Sequence, residues 1–185
     1  RIRSQPFVQL EENKYRITHP LLFRAHLFTG VFFDLSRLNN EAPANERIKE
    51  FRSFYGTEFS ERFVFYEIMK YSFKKRYIQF TGKDFEEMKL DGRSDYYIRN
   101  SNSIFLFECK EVLINASIKE NGISKDLEAE FQKKFIADGK NPKAIRQLVN
   151  NITFIINEQN DFDRNYKVKN IKIYPILILH DVMFE

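Results

Sequence analysis

The segment LDGRSDYYIRNSNSIFLFECK, residues 90–110, decides how this chain folds. Residues 93–99 are rich in aromatic and β-branched side chains, Asn100 to Ser103 is a dense turn signal, and Ile104 to Phe107 is a continuous apolar run, which predicts strand, turn, strand. A symmetric loop sets Arg99 opposite Ile104, Tyr97 opposite Leu106 and Asp95 opposite Glu108. Directly opposed residues of an antiparallel pair have Cβ atoms about 4.5–5.5 Å apart and share a face. Side chains alternate along a strand, so Lys110 joins Glu108 on that face while Cys109 points to the other.

The second strand is apolar on both faces before its charged end, which predicts a place in the middle of a covered sheet. Charges at the end of such a strand are costly unless something compensates them. The available compensators are the two acids' own lysine and a cation. Two carboxylates converging with an ammonium suit a hard divalent ion such as Mg²⁺, or Mn²⁺ in its place, because Mg²⁺ prefers oxygen ligands and needs one or two protein carboxylates beside substrate phosphate. The competing reading is an exposed cross-strand salt bridge with no chemistry.

Asp95, a gap of twelve residues and then Glu108-Cys109-Lys110 resembles the D…(D/E)-x-K signature of the PD-(D/E)XK nuclease superfamily, the restriction-endonuclease-like fold. Ser94 stands where the family name carries proline. The spacing alone is a weak pattern; its placement on a hairpin, in register, at the end of a buried strand strengthens it. The resemblance implies a three-layer α/β core with a mixed central sheet flanked by helices. It also implies a metal-dependent endo- or exonuclease that leaves a 5′-phosphate. Asp95 and Glu108, with the Cys109 main-chain carbonyl, would hold Mg²⁺ or Mn²⁺, and Lys110 would orient or deprotonate the attacking water. The stretch GTEFSERFVFYEIMK resembles the helix before the catalytic hairpin in that superfamily, with Glu61 the best match to its glutamate and Glu58 and Glu67 weaker ones. KAIRQLVNN resembles the helix after the catalytic strand, which brings in Gln147 and Lys143.

The rest of the chain fits this frame. At 185 residues, with 43% hydrophobic residues and 20 Phe, it is long enough for one globular domain with a real core. A formal charge of +4 is compatible with a nucleic-acid partner, DNA foremost, without proving one. Lys143, Arg146 and Arg93 are the foremost phosphate contacts, with Lys119, Lys125, Lys133, Lys134 and Lys140 further candidates. One cysteine excludes an internal disulfide framework, and His19, His26 and His180 have no zinc-ligand spacing. No apolar run reaches membrane-spanning length, and a reducing, cytoplasmic setting is expected.

Residues 1–55 read as an N-terminal extension packed on a core of residues 56–185, the whole forming part of a longer protein. Residues 6–18 predict a short hairpin and Pro20 opens helical segments. A break at 39–45 precedes a helix over 46–55, and Gly56 interrupts before a buried helix over 58–75. Residues 77–80 predict a strand, residues 112–115 a prolongation of the second hairpin strand, and 115–126 a mobile loop. A helix over 125–138 stops at Gly139, and Asn141-Pro142 caps a helix running to 158 whose edge carries Lys143, Gln147 and Asn151 as a polar line, with Asn151 read as solvated. Residues 168–180 predict a strand joining the sheet parallel to the catalytic one through a crossover, where Pro175 needs a bulge or a missing partner. Two readings without catalysis stand beside the nuclease: an inactive nuclease-like module that binds nucleic acid or protein, and an interaction domain with an accidental match. Other domains of the same chain and a second copy are compatible partners.

Overall fold

A computed structural model describes residues 7–25, 27, 30–73, 76–90, 92–110, 118 and 124–179 of the chain. The chain divides into two compact units, Arg1–Phe59 and Ser60–Glu185.

In the first unit, β1 (Phe7–Glu11) and β2 (Lys14–Ile17) form the expected hairpin, with Asn13 at φ +62° making the turn. The helices α1 (Pro20–Ala25) and α2 (Val31–Glu41) follow. Residues 46–50 are not helical, against expectation. The Asn39 side chain accepts from Ile48 N at 2.8 Å and donates to Ile48 O at 3.1 Å, so this stretch is tied down by an amide that mimics a strand partner. Helix α3 (Phe51–Phe54) then starts after Glu50, whose φ is +49°. Phe32, Phe51 and Tyr55 pack ring against ring with centroids 5.2–6.2 Å apart. Gly56 does not interrupt the helix: it lies inside wide, π-type helical turns, Tyr55–Phe65, within which the division into units falls.

The second unit is a mixed central sheet flanked by helices. Its four strands run in the order β3 (Ile78–Thr81), β4 (Tyr96–Asn100), β5 (Ser103–Lys110) and β8 (Lys172–Leu179). The hairpin has the expected register: Arg99 pairs with Ile104, Tyr97 with Leu106 and Tyr96 with Phe107. Ser101 takes φ +55° to close the turn. β8 is parallel to β5, from Ser103↔Lys172 to Lys110↔Leu179. Pro175, opposite Leu106, is tolerated because among the described residues β8 has a neighbour on one side only. For the same reason Tyr174 stays 42% exposed, against the expectation of a buried strand.

Alternation along β5 sorts the core into two layers. Phe107 and Cys109 pack with Tyr96, Ile98 and the helical residues Phe65, Tyr66 and Met69, the last two on α4 (Tyr66–Ser72). Ile104 and Leu106 pack with Tyr97, with Phe85 of α5 (Gly82–Glu87), and with Leu148 and Ile155 of α7 (Ala144–Ile156). The helix expected to be apolar all round is in fact one-sided: Phe63, Ile68 and Tyr71 are exposed. α5 is started by a capping box in which the Thr81 hydroxyl accepts from Asp84 N at 3.1 Å while Asp84 Oδ2 accepts from Thr81 N at 2.7 Å.

Further boundaries differ from the sequence reading; Val168–Asn170, expected in the last strand, form a short 3-10 turn before β8. Helix α6 (Ser124–Phe131) continues in wide turns only to Ile136; β6 (Ala137–Asp138) then pairs with β7 (Asn141–Pro142). Asn141-Pro142 is therefore a strand and not a cap, and α7 begins with Lys143 in the N-cap position without a side-chain cap. The expected strand prolongation at 112–115 and most of the loop at 115–126 lie outside the described residues.

Candidate active site

The hairpin delivers the two acids and the lysine to one end of the sheet. Glu108 is the third residue from the end of β5 and its side chain is 0% exposed, on the Leu106 side by alternation, which disposes of the exposed salt-bridge reading. Lys110 Nζ lies 2.7 Å from Glu108 Oε1 and is itself 27% exposed, so its ammonium reaches both the buried acid and solvent. Apart from that ion pair, neither buried Glu108 oxygen has a hydrogen-bond partner among the described residues. Asp95 precedes β4 and lies one residue beyond the last ladder pair, Tyr96↔Phe107. Its Oδ2 accepts the Cys109 main-chain N–H at 2.6 Å, so the carboxylate extends the ladder where the main chain of β4 has left it.

A third acid joins them. The Glu61 carboxylate accepts from the Tyr66 hydroxyl at 2.6 Å and lies within electrostatic reach of Asp95 and Lys110. Burial, then the Asp95 charge, push its pKa up to about 7. The Glu108 carboxyl is likewise raised to about 7, by burial first and then by Asp95. Asp95 is raised by burial, against the pull of Lys110 and the Cys109 N–H. Burial pulls Lys110 down, but Asp95, Glu108 and Glu61 outweigh it, so the ammonium is held charged. Three carboxyls facing one ammonium leave excess negative charge in a site of low dielectric. Cys109 points to the opposite layer, its thiol pushed up to about 12 by burial and then Asp95, and it is no nucleophile.

The donor set fits a hard cation: a buried Glu108 carboxylate whose one close partner among the described residues is the Lys110 ammonium, beside further carboxylates and a deficit of positive charge. Among the described residues no three His, Cys, Asp or Glu side chains are already grouped as a cage. A Mg²⁺ site does not require one, because substrate phosphate and water complete its shell.

The amino end of α7 lies on the site side. Asn151 Nδ2 donates to Gly92 O at 3.1 Å, just before Asp95, whereas the Ile155 carbonyl one turn on meets the Tyr166 hydroxyl at 3.5 Å. Asn151 is 4% exposed, so it belongs to no solvated line; it also donates to Gln147 O at 2.8 Å and braces the loop that presents Asp95. Gln147 and Lys143 are half-buried and Arg146 is exposed. No hydrogen bond joins the Gln147 side chain to the acids among the described residues. Glu58 is exposed, and exposed Glu67 pairs with Lys70 at 3.0 Å. Arg93 is not a free surface cation. Its guanidinium sits 4.2 Å from the Phe154 ring centroid and 5.9 Å from that of Phe162, and burial lowers its pKa against the pull of Asp161. Lys119 lies outside the described residues.

Sequence reasoning missed Tyr66, Gly82 and Asn151 as neighbours of the site. It also missed the buried network in which Asp163 takes the Arg99 guanidinium at 2.5 and 2.9 Å and the Tyr97 hydroxyl at 2.8 Å. Among the described residues no helix is long and apolar enough to cross a membrane. Comparisons with protein-family models, with curated proteins and with solved structures found no match.

Proposed function

We propose that the unit Ser60–Glu185 is a restriction-endonuclease-like nuclease domain that hydrolyses phosphodiester bonds of nucleic acid, with DNA the first substrate to test. The observation that carries the reading is the Glu108 carboxylate, wholly buried at the end of a central strand, with an ammonium at 2.7 Å as its one close partner among the described residues. A buried carboxylate is costly unless charge compensates it, and here one ammonium faces three carboxyls.

Asp95 and Glu108, with the Cys109 carbonyl, would hold Mg²⁺ or Mn²⁺, which supplies Lewis-acid polarisation of the phosphate and a more acidic water. Lys110, held charged, offers its Nζ protons to a phosphate oxygen and offsets the charge that develops in the transition state. That favours the orienting role of Lys110 over the proton-accepting one. Glu61, with a pKa of about 7, is suited to take the proton from attacking water at a carboxylate oxygen and to return it to solvent. The oxygen of that water bonds to phosphorus as the bond to the leaving 3′ oxygen breaks, and the leaving oxygen picks up a proton. Lys143 and Arg146, at the amino end of α7, would meet flanking phosphates.

The test is incubation of the full chain with plasmid, linear duplex, single-stranded DNA and RNA, in Mg²⁺, Mn²⁺ or EDTA, beside Lys110→Ala and Asp95→Ala. The reading expects cation-dependent cleavage that both variants lose. Binding without cleavage in wild type points to the inactive module, and cleavage undiminished in both variants rules out this site.

A further inference from the structure

The Glu61 carboxylate reaches the site through an unusual local geometry. In an α-helix residues three or four apart share a face, whereas residues five apart do not. The turns of Tyr55–Phe65 are wider, and they bring Glu61 into line with Tyr66, five residues on, so that the Tyr66 hydroxyl donates to Glu61 Oε1 at 2.6 Å. The Tyr66 ring cannot swing away cheaply. It is buried and packs at 5.7 Å against Tyr96 of β4 and at 6.0 Å against Phe65.

The hydroxyl end of that ring sits against Gly82. A Cβ at position 82 would come within 2.7 Å of Tyr66 Oη, 3.5 Å of Asp95 O and 3.6 Å of Glu61 Oε1. Gly82 N donates to Asp95 O at 2.7 Å, so the same residue fastens the main chain of the first acid. The backbone at Gly82 is not in the left-handed region, and what forbids a side chain there is the tyrosine hydroxyl. Glycine leaves space at a point where Tyr66, Glu61 and the Asp95 main chain all come close.

We infer that Tyr66 and Gly82 are positioning residues of the site. The Tyr66 hydroxyl, seated in the notch that Gly82 leaves, holds the Glu61 carboxylate beside Asp95 for work on the bound cation and its phosphate. The inference rests on the nuclease reading. It adds that the reach of Glu61 depends on two residues that bear no charge and hold no ligand themselves.

The experiment compares wild type, Tyr66→Phe, Gly82→Ala, Glu61→Gln and the double variant Tyr66→Phe/Glu61→Gln. Each full chain is assayed for Mn²⁺ affinity by calorimetric titration, for kcat and KM on whichever nucleic acid the wild type cleaves, and for its thermal unfolding midpoint. Tyr66→Phe and Gly82→Ala are expected to lower Mn²⁺ affinity or kcat by about 10–100-fold, as is usual for partners that orient ligands, with KM little changed. Tyr66→Phe is expected to keep a near wild-type unfolding midpoint and to add nothing in the Glu61→Gln background. A merely structural tyrosine would cost as much in either background. Unchanged affinity and kcat in Tyr66→Phe, or an equal loss in both backgrounds, overturns the inference while leaving the nuclease reading intact. If wild type binds Mn²⁺ but cleaves nothing, the reading fails and the affinity arm still decides the inference. A wild type that neither binds Mn²⁺ nor cleaves removes both.

Discussion

The main-chain N–H of Cys109 donates to Asp95 Oδ2 at 2.6 Å, which fastens the acid in front of β4 to the strand that carries Glu108 and Lys110. An asparagine at 95 keeps an acceptor oxygen for that N–H; an alanine removes it. Asp95→Asn should therefore unfold in urea close to wild type, while Asp95→Ala loses about 1–3 kcal/mol for the unmatched donor. Both should lose cleavage. Equal stability of the two variants would mean that the hydrogen bond does not hold the site together.

The buried acids set a pH dependence whose sign is opposite to that of ordinary paired carboxylates. Glu108 is raised from 4.5 to about 7, by burial first and then by Asp95. A group raised on folding stabilises the folded state most below its unfolded value, and that stability drains away as pH rises through the folded value. In EDTA, unfolding free energy should fall between about pH 4.5 and about pH 7 and level off above. Glu108→Gln should flatten that fall and gain on the order of 1–3 kcal/mol over wild type at pH 8. Urea titrations at a series of pH values check both points.

Away from the site, Arg99 and Asp163 form an ion pair with side chains 8% and 2% exposed, and Tyr97 donates to the same acid. Asp163→Ala strands a buried guanidinium and a buried hydroxyl together, and should cost about 3–5 kcal/mol in urea unfolding. Asp163→Asn, which keeps an acceptor, should cost less.

The positions of the cations divide them by role. If nucleic acid lies across the amino end of α7, Arg146→Gln should weaken binding and reduce the slope of log affinity against log salt by about 1. Arg93→Gln should leave that slope alone, because its guanidinium rests on Phe154, and should lower stability instead. Fluorescence anisotropy over a salt series separates the two.

The hairpin was legible because turn residues and alternation fix register locally: once Asn100 and Ser103 close the turn, every later pair follows. The parallel placement of β8 was legible from the helices that separate it from β5. What could not be read depended on tertiary partners. Gly56 signals a break, yet wide helical turns absorb it. Asn141-Pro142 has the chemistry of a cap, but Ala137–Asp138 recruits it as a strand. Glu61 was legible as an acid on an apolar flank. Tyr66 was one aromatic among many on its segment, and nothing local marks it as the residue whose hydroxyl would meet that acid over Gly82. Asn151 looked solvated because its spacing matched Lys143 and Gln147; the carbonyl that buries it belongs to Gly92, far away in sequence.

The most direct measurement is single-turnover cleavage of a labelled duplex by wild type and by Glu108→Gln at the same Mg²⁺ concentration, with an EDTA control. The account predicts cleavage by wild type about 1,000-fold faster than by the variant, a loss of about 4 kcal/mol of transition-state stabilisation, and none in EDTA. Equal rates for the two proteins, or cleavage that persists in EDTA, would contradict it.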